Sequence, residues 1–465
     1  MTDFITMYQE NFIMSDRYDL IIVGGGPAGL AAAQAASAAG KRILIMEKDG
    51  WGGTCTHRGC IPTKALLACS RSYSGLKKLR RVGIGTGEAT IDYAAMRRHQ
   101  QQMVKIAALG ARKLLADAGV EIAEGTGEII SPREIICTNP AGESRTVTAD
   151  HLLIAWGSEA VVPRGISLSE RIMTSDGIGA IDDLPASIII VGASFIGVEY
   201  AVFFAQLGVK VILMELLERI LPQEDEEAAQ FLRQELVRLG VDVHTGAAPA
   251  GLAETPAGVV MEVGLKEETA ELQADCALLC TGRKPVLYDK QLAAAGIAYD
   301  AKGIKVDESM MTSVDGIYAA GDVTGGMMLA HRATRQAQVA VQSMFGGGSY
   351  SYNENNIPSV VYSHPQIARV GYTQTRALAE GMKVEIARCS YSANIIARSE
   401  LLGQGFAKAL FYEDTIIGAV IAGDNAADLI APLGLAVSCR LTKKQLQSWV
   451  IAHPTLSEIF VDLLA

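Results

Sequence analysis

The chain has 465 residues, 49% hydrophobic and 20% charged, with 41 Lys and Arg against 51 Asp and Glu for a net charge of −10. That length exceeds what one hydrophobic core usually serves, so several domains are expected. No stretch approaches the ~20 apolar residues that cross a bilayer, and no basic run would track a phosphate backbone, which sets aside membrane-spanning and nucleic-acid-binding roles.

The first twenty residues lack the basic start and apolar block of a secretory leader and are too acidic for a transit peptide, so a cytoplasmic location is expected. Met14 stands directly before SDRYDL, where the fold is expected to begin, leaving residues 1–17 as an N-terminal extension. From residue 18, YDLIIVGGGPAGLAAAQAASAAG reads as an apolar strand, a glycine turn and a helix, and KRILIME supplies the next strand. Gly24, Gly26 and Gly29 match G-x-G-x-x-G, and Glu47 follows Gly24 by 23 positions.

Next comes WGGTCTHRGCIPTKALLACS, which holds Cys55 and Cys60. Fully extended, five steps would span roughly 17 Å, whereas a disulfide needs Cα atoms within about 7 Å, so the segment must coil. Gly59 and Pro62 in a first helical turn make that feasible. A helix starting at Cys60 would lower that thiol's pKa, and His57 and Arg58 add positive charge beside it. Three readings stay open for the pair: a redox disulfide, two buried thiols, or half of a zinc site. Zinc would want a further Cys or His pair at metal spacing, which the sequence lacks, and no metal site is expected. Eight cysteines are too few for a disulfide scaffold. Cys276 and Cys280 would sit roughly 13 Å apart on one face of a strand, too far to bridge. With Cys69, Cys137, Cys389 and Cys439 they are assigned to packing.

Further along, ADHLLIAWGSEAVVP near residue 149 and CALLCTGRKP near 276 read as strands entering turns where the chain crosses between domains. Between them, SIIIVGASFIGVEYAVFFAQLG from residue 187 repeats the strand–turn–helix unit, with Gly192, Ser194 and Gly197 in the glycine positions and Glu215 again 23 positions after the first. One such motif is weak evidence; two copies, each with a strand, a helix and a carboxylate at the expected offset, indicate two dinucleotide sites. Glycine admits the backbone to a pyrophosphate, the helix N-terminus offers N–H groups, and the carboxylate accepts from ribose hydroxyls. Glu215, with no Arg before Arg219, favours NAD over NADP. Ser194 puts a side chain where the pyrophosphate should come closest, which predicts altered affinity more than lost binding. GIYAAGDVTGG from 316 is a buried strand ending in Gly-Asp, where Asp322 can meet a ligand. From about 350 the pattern alternates like antiparallel strands and closes with helices, a separate C-terminal domain. Two nucleotides plus a cysteine pair suggest a relay through a flavin, with FAD on the first unit and NAD on the second.

GGTCTHRGCIPTKALL resembles the signature of the class I pyridine nucleotide-disulfide oxidoreductases, and the resemblance runs from about Tyr18 to the C-terminus. Within that family, MLAH at 328–331 and HPTLSE at 453–458 are most similar to the dihydrolipoyl dehydrogenase group, which reoxidises protein-bound dihydrolipoamide. The resemblance implies an α/β fold: two Rossmann-like dinucleotide-binding domains plus a C-terminal α+β dimerisation (interface) domain. The implied divisions are 18–160 for the first FAD part, 161–284 for NAD, 285–350 for the central or second FAD part, and 351–465 for the interface.

It further implies that Cys55 exchanges with substrate and Cys60 faces the flavin, with His453 as acid/base oriented by Glu458. In the family that histidine reaches the cysteines of the other subunit, so a homodimer with shared active sites is expected. Lys64 and Glu199 would pair beside the flavin. Gly53, Thr54, Gly125, Gly157, Ser158, Asp322 and the run Met328, Leu329, Ala330 and His331 would contact FAD. Phe195 and Gly282 would border the nicotinamide site. The chain departs from the pattern at His57-Arg58, where Asn-Val is usual, at Trp156, where a small Thr is usual, and at Arg332 and Arg335, where glutamates are common. The exchanges at His57-Arg58, Arg332 and Arg335 shift charge towards positive and favour an anionic disulfide or carrier, or a cysteine pair whose potential is raised by thiolate stabilisation. The expected activity is dithiol oxidation by NAD through FAD. The alternatives are an NADH-dependent reductase of another disulfide or acceptor, and a structural flavoprotein of a multienzyme complex.

Overall fold

The computed structural model describes residues 17–464 apart from 86, 266–267 and 349; all but Arg17 of the expected N-terminal extension lies outside the described residues. The chain divides into two compact units, each assembled from separate stretches.

The first unit takes the residues up to Gly53, then Gly110–Gly157 and Pro285–Tyr352. Its centre is β1 (Arg17–Val23), followed by α1 (Pro27–Ala38) and β2 (Ile43–Glu47). Leu20, Ile21 and Ile22 are fully buried, as an unbroken apolar run must be when a parallel strand is covered on both faces. β1 lies between β2 and the strand Ser144–Ile154, both parallel to it. Ile317–Ala319 extends the sheet in parallel beyond Ser144–Ile154, and Thr126–Ser131 with Glu134–Thr138 add an antiparallel hairpin. The expected strands at 149 and 316 are therefore neighbours. The alanine-rich face of α1 packs against the helix Ala330–Phe345.

The second unit takes Thr54–Leu109, Ser158–Lys284 and Asn353–Ala465. It begins with α2 (Cys60–Leu79) and repeats the strand–helix–strand unit as β3 (Ser187–Val191), α3 (Phe195–Gln206) and β4 (Lys210–Glu215). Its parallel sheet runs in the order 242–245, β4, β3, 276–279, 172–174. The C-terminal stretch forms the expected antiparallel sheet, five strands backed by the helix Ala426–Ser438. Buried ion pairs join the segment after β4 to this sheet: Arg369 donates to Glu224 at 2.9 Å and Lys408 to Asp225 at 2.7 Å. Burying such charges is tolerable because each is paired.

The two glycine turns are built alike. A Cβ on Gly24, at φ +116°, would lie 2.2 Å from the Ala155 carbonyl oxygen; one on Gly192, at φ +100°, would lie 2.2 Å from that of Cys280. At the third position, Gly29 and Gly197 would drive a Cβ to 1.9 and 1.8 Å from the carbonyl oxygens of Gly24 and Gly192. Only glycine fits there, whatever is bound.

Candidate active site

The redox segment coils as the spacing requires. A short helix, Gly53–His57, carries Cys55, and Gly59 caps α2, whose first residue is Cys60 and whose first turn contains Pro62. Both cysteines are free thiols and half-buried. They are hydrogen-bonded to each other and divide their proton unequally. That hydrogen bond, with burial, pushes the Cys55 thiol far above its ordinary value. The same bond from Cys55, aided by the Lys64 charge and opposed by burial, lowers Cys60 to about 7. Of the two, Cys60 is the thiol that its surroundings favour to ionise. Position at a helix start and a nearby cation are the settings that acidify a thiol.

α2 is held to α3 by polar contacts on facing turns. Thr63 and Tyr200 hydroxyls lie 3.2 Å apart, Ser70 donates to Gln206 at 2.7 Å, and Lys64 Nζ donates to Glu199 at 2.9 and 3.2 Å. Burial works against the Lys64 charge, but the Glu199 carboxylate outweighs it and the pKa is raised. Glu199 also accepts from the Tyr362 backbone N–H at 2.9 Å, and Lys64 sits over the Tyr362 ring at 4.6 Å. Tyr362 had no signal in the sequence; it lies in the apolar run VVY and only the fold brings it to Glu199.

His453 and Glu458 meet as expected. Nδ1 is 2.8 Å from Glu458 Oε1, and Glu458 Oε2 accepts from the Thr455 N–H at 3.0 Å. The Thr455 N–H and His453 together hold the Glu458 carboxyl below its usual range. With Nδ1 committed, Nε2 is the atom left to exchange a proton. The His453 side chain is 75% exposed, and among the described residues no hydrogen bond or ion pair joins it to Cys55 or Cys60 of its own chain.

Both motif carboxylates turn back on their own loops. Glu47 accepts from the N–H groups of Gly25 at 2.6 Å and Asp49 at 2.7 Å; Glu215 accepts from Ala193 at 2.8 Å and Leu217 at 2.9 Å. Each carboxylate therefore braces its turn and keeps lone pairs for further donors. Arg219 cannot serve a 2′-phosphate as placed: its guanidinium donates to the carbonyls of Pro222 at 2.6 Å and Glu224 at 3.1 Å.

The first unit fits a dinucleotide. Gly26 precedes α1, whose N-terminus has no side-chain cap and whose first residue is proline, so the free N–H groups face outward for an anion. A Cβ on Gly26 would meet nothing of the protein nearer than 4.0 Å, whereas one on Gly53 would lie 2.8 Å from the Gly26 Cα. The two glycines leave an open cradle at the helix end. In the second unit Ser194 occupies the Gly26 position, exposed, with no capping bond from its hydroxyl, and half-buried Phe195 starts α3. That helix end too is uncapped and open to an anion.

Other expected residues fall around these turns. Gly125 donates to the Glu47 carbonyl at 2.8 Å, Gly157 accepts from Val286 N–H at 3.0 Å, and Gly282 accepts from Val161 N–H at 3.0 Å. Arg283 holds Ser158 through its hydroxyl and carbonyl, both at 2.9 Å. Asp322 opens a short turn after the strand Ile317–Ala319. Met328 and Leu329 lead into the helix Ala330–Phe345, with His331 exposed in its first turn. Trp156 is half-buried against Tyr288, ring centroids 4.8 Å apart, in place of an open turn.

The remaining thiols follow burial with one correction. Desolvation pushes Cys276 up to about 12 and Cys280 higher still, and Cys389 donates to the Ile459 carbonyl at 3.0 Å. Cys439, expected in the packing, is exposed, because it caps the C-terminal end of Ala426–Ser438 where the helix leaves the core.

Comparison with known proteins gives the class. Residues 18–337 match the pyridine nucleotide-disulphide oxidoreductase family model and 357–464 match that family's dimerisation domain. The chain belongs to this family. It is similar to dihydrolipoyl dehydrogenases of Chlorobaculum parvum, 34% identical over 454 residues and 97% of each chain, and of Bacillus subtilis, 34% identical over 450 residues, 96% of this chain and 97% of that one. Among solved structures it resembles LpdA from Mycobacterium tuberculosis, with TM-score 0.90 and 27% identity over 96% of this chain and 98% of that one. It also resembles the HOCl-induced flavoprotein disulfide reductase RclA from Escherichia coli, with TM-score 0.84 and 26% identity over 96% of this chain and 99% of that one. The protein is thus an FAD-dependent, NAD-linked disulfide oxidoreductase. No described helix is long and apolar enough to cross a membrane.

Proposed function

We propose that the protein oxidises a dithiol, protein-bound dihydrolipoamide in the leading reading, and passes the electrons to NAD. The placement of Cys60 at the start of α2, four residues before the Lys64–Glu199 pair, with Cys55 on the short helix that precedes it, carries this reading. A substrate thiolate attacks the Cys55 sulfur of the Cys55–Cys60 disulfide, and Cys60 leaves as the thiolate that α2 and Lys64 stabilise. The second substrate thiol then displaces Cys55, giving the oxidised substrate, the Cys55 thiol and the Cys60 thiolate. His453 of the partner subunit, as a homodimer would present it, takes the proton of the first attacking thiol at Nε2 and releases it to water, then takes the proton of the second thiol and returns it to the departing Cys55 sulfur, and Glu458 holds the ring and stabilises its charged form. Its exposure within one chain agrees with this. Bound FAD supplies the two-electron transfer between the cysteine pair and NAD.

In this reading Gly24, Gly26, Gly29, Glu47, Gly53, Thr54, Gly125, Gly157, Ser158, Asp322 and 328–331 hold FAD. Gly192, Ser194, Phe195, Gly197, Glu215 and Gly282 hold NAD, and Lys64 with Glu199 pairs beside the flavin. We adopt the divisions 18–160, 161–284, 285–350 and 351–465 for the FAD, NAD, central and interface regions, in a cytoplasmic homodimer.

The test is steady-state turnover of the purified flavoprotein with dihydrolipoamide and NAD+, beside NADP+, and with NADH and glutathione disulfide. Dihydrolipoamide with NAD+ is expected to be fastest, with NADP+ at least about tenfold slower, since the Glu215 carboxylate repels a 2′-phosphate. The Arg58 cation, next to His57, favours one other reading, an NADH-dependent reductase of an anionic disulfide; faster NADH-driven disulfide reduction would establish it instead.

A further inference from the structure

Beside the redox turn lies a cleft of about 210 Å³ whose walls are used by nothing in the mechanism above. His57 and Arg58, which lie between Cys55 and Cys60, line it together with Pro62 of α2. Arg97 and Ile178 join the lining from the helix Tyr93–Asp117 and the turn after the strand Ile172–Thr174.

The charge in this cleft is one-sided. Arg97 donates to the Gln100 side chain and to the Gly179 carbonyl, both neutral, and among the described residues no carboxylate pairs with it. The one carboxylate in the lining, Asp176, is neutralised by Arg283 at 2.7 Å. The cleft therefore keeps the charge of Arg97. Its remaining surface is apolar, from Pro62, Val104 and buried Ile178. The volume equals the share of about seven liquid waters, room for a short aliphatic chain ending in one charged group.

We propose that this cleft seats the anionic end of a small, carrier-free aliphatic dithiol or disulfide whose sulfurs are presented to the Cys55–Cys60 turn, so that among free small substrates the protein prefers carboxylate-tailed over neutral ones. The inference rests on Cys55–Cys60 being the redox centre. The chemistry is unchanged: two substrate thiols give up two electrons and two protons in all, and the cysteine disulfide becomes a thiol and a thiolate. What the cleft adds is a cation, pre-positioned and partly desolvated, for which the substrate carboxylate replaces water. Charge-assisted contacts of this kind are stronger than neutral ones, and a positioned guanidinium suits a carboxylate.

The test uses chains without sulfur, so that binding is read apart from turnover. Octanoate and octanamide are titrated calorimetrically into the intact flavoprotein and its Arg97→Gln, Arg97→Lys and Arg58→Gln variants. Octanoate is expected to bind at least about tenfold more tightly than octanamide, with that preference lost in Arg97→Gln, reduced in Arg58→Gln and largely retained in Arg97→Lys. Arg58 is exposed, so its variant reports even if Arg97→Gln fails to fold. Equal binding of the two chains to the unaltered protein, or a preference that survives both charge removals, overturns the proposal. Dihydrolipoamide turnover with NAD+ in the same preparations separates the two readings. Octanoate preference without turnover keeps the cleft and discards the lipoyl substrate; turnover without preference does the reverse.

Discussion

The two dinucleotide units differ at one position that matters, and the difference separates what the protein requires from what the ligand requires. At the first and third glycines the units are interchangeable: a Cβ would strike a carbonyl oxygen at 2.2 Å in Gly24 and Gly192, and at 1.9 and 1.8 Å in Gly29 and Gly197. At the middle position Gly26 has open space around it, and its counterpart is Ser194. The fold dictates the outer glycines and leaves the middle one open. In the proposed function a bound pyrophosphate dictates that position, and a serine there then bears on the second ligand and not on the second fold.

The sharpest way to break this equivalence is to add the forbidden methyl to each unit. Gly24→Ala and Gly192→Ala should each lose about 2–5 kcal/mol of unfolding free energy in denaturant titrations, from backbone strain at positive φ plus overpacking. A variant as stable as the parent would show that the carbonyl contact is not limiting. Gly26→Ala should behave oppositely, shedding FAD on gel filtration while the flavin-free protein stays within about 1 kcal/mol of the parent. Ser194→Gly should be milder again, lowering KM for NAD+ by roughly two- to tenfold and leaving stability within a few tenths of a kcal/mol, because the serine makes no capping bond. A rise in KM would mean that the hydroxyl donates to the ligand.

The smallest effect expected is a displaced pH midpoint. Cys60 lies lowered to about 7, so its thiolate persists to lower pH than an ordinary cysteine's. In the reduced protein its alkylation rate should be level above pH about 7 and fall roughly tenfold per unit below it. Cys280, which burial pushes up, should stay unreactive over that range. A Cys60 midpoint at the ordinary value of about 8.5 would remove the asymmetry on which its role depends.

Much of this site could be read from the sequence because it is local. Two strand–turn–helix units with carboxylates at one offset, and Cys60 before Pro62, declare themselves within short windows. His453 and Glu458 sit five positions apart, and their pairing follows from one turn. What escaped is what folding brings together from afar. The Tyr362 backbone that fixes Glu199, the approach of Gly53 to Gly26, and the sharing of one cleft by Arg97 and Arg58 have no signature in any window. The direction of side chains escaped too: the motif leads one to expect Glu47 and Glu215 to be ribose acceptors, and the structure shows each bracing its own turn. Cys439 failed for the same reason, since a cysteine at a helix end can face the core or solvent and composition does not say which.

The relay itself is tested most directly by counting thiols. The oxidised flavoprotein is treated anaerobically with NADH, quenched in denaturant with an alkylating agent, and its cysteines are assigned by peptide mass. NADH plus one proton should convert one disulfide into two thiols, and the two newly labelled residues should be Cys55 and Cys60. An unchanged thiol count, or new label on any other cysteine, would contradict the account.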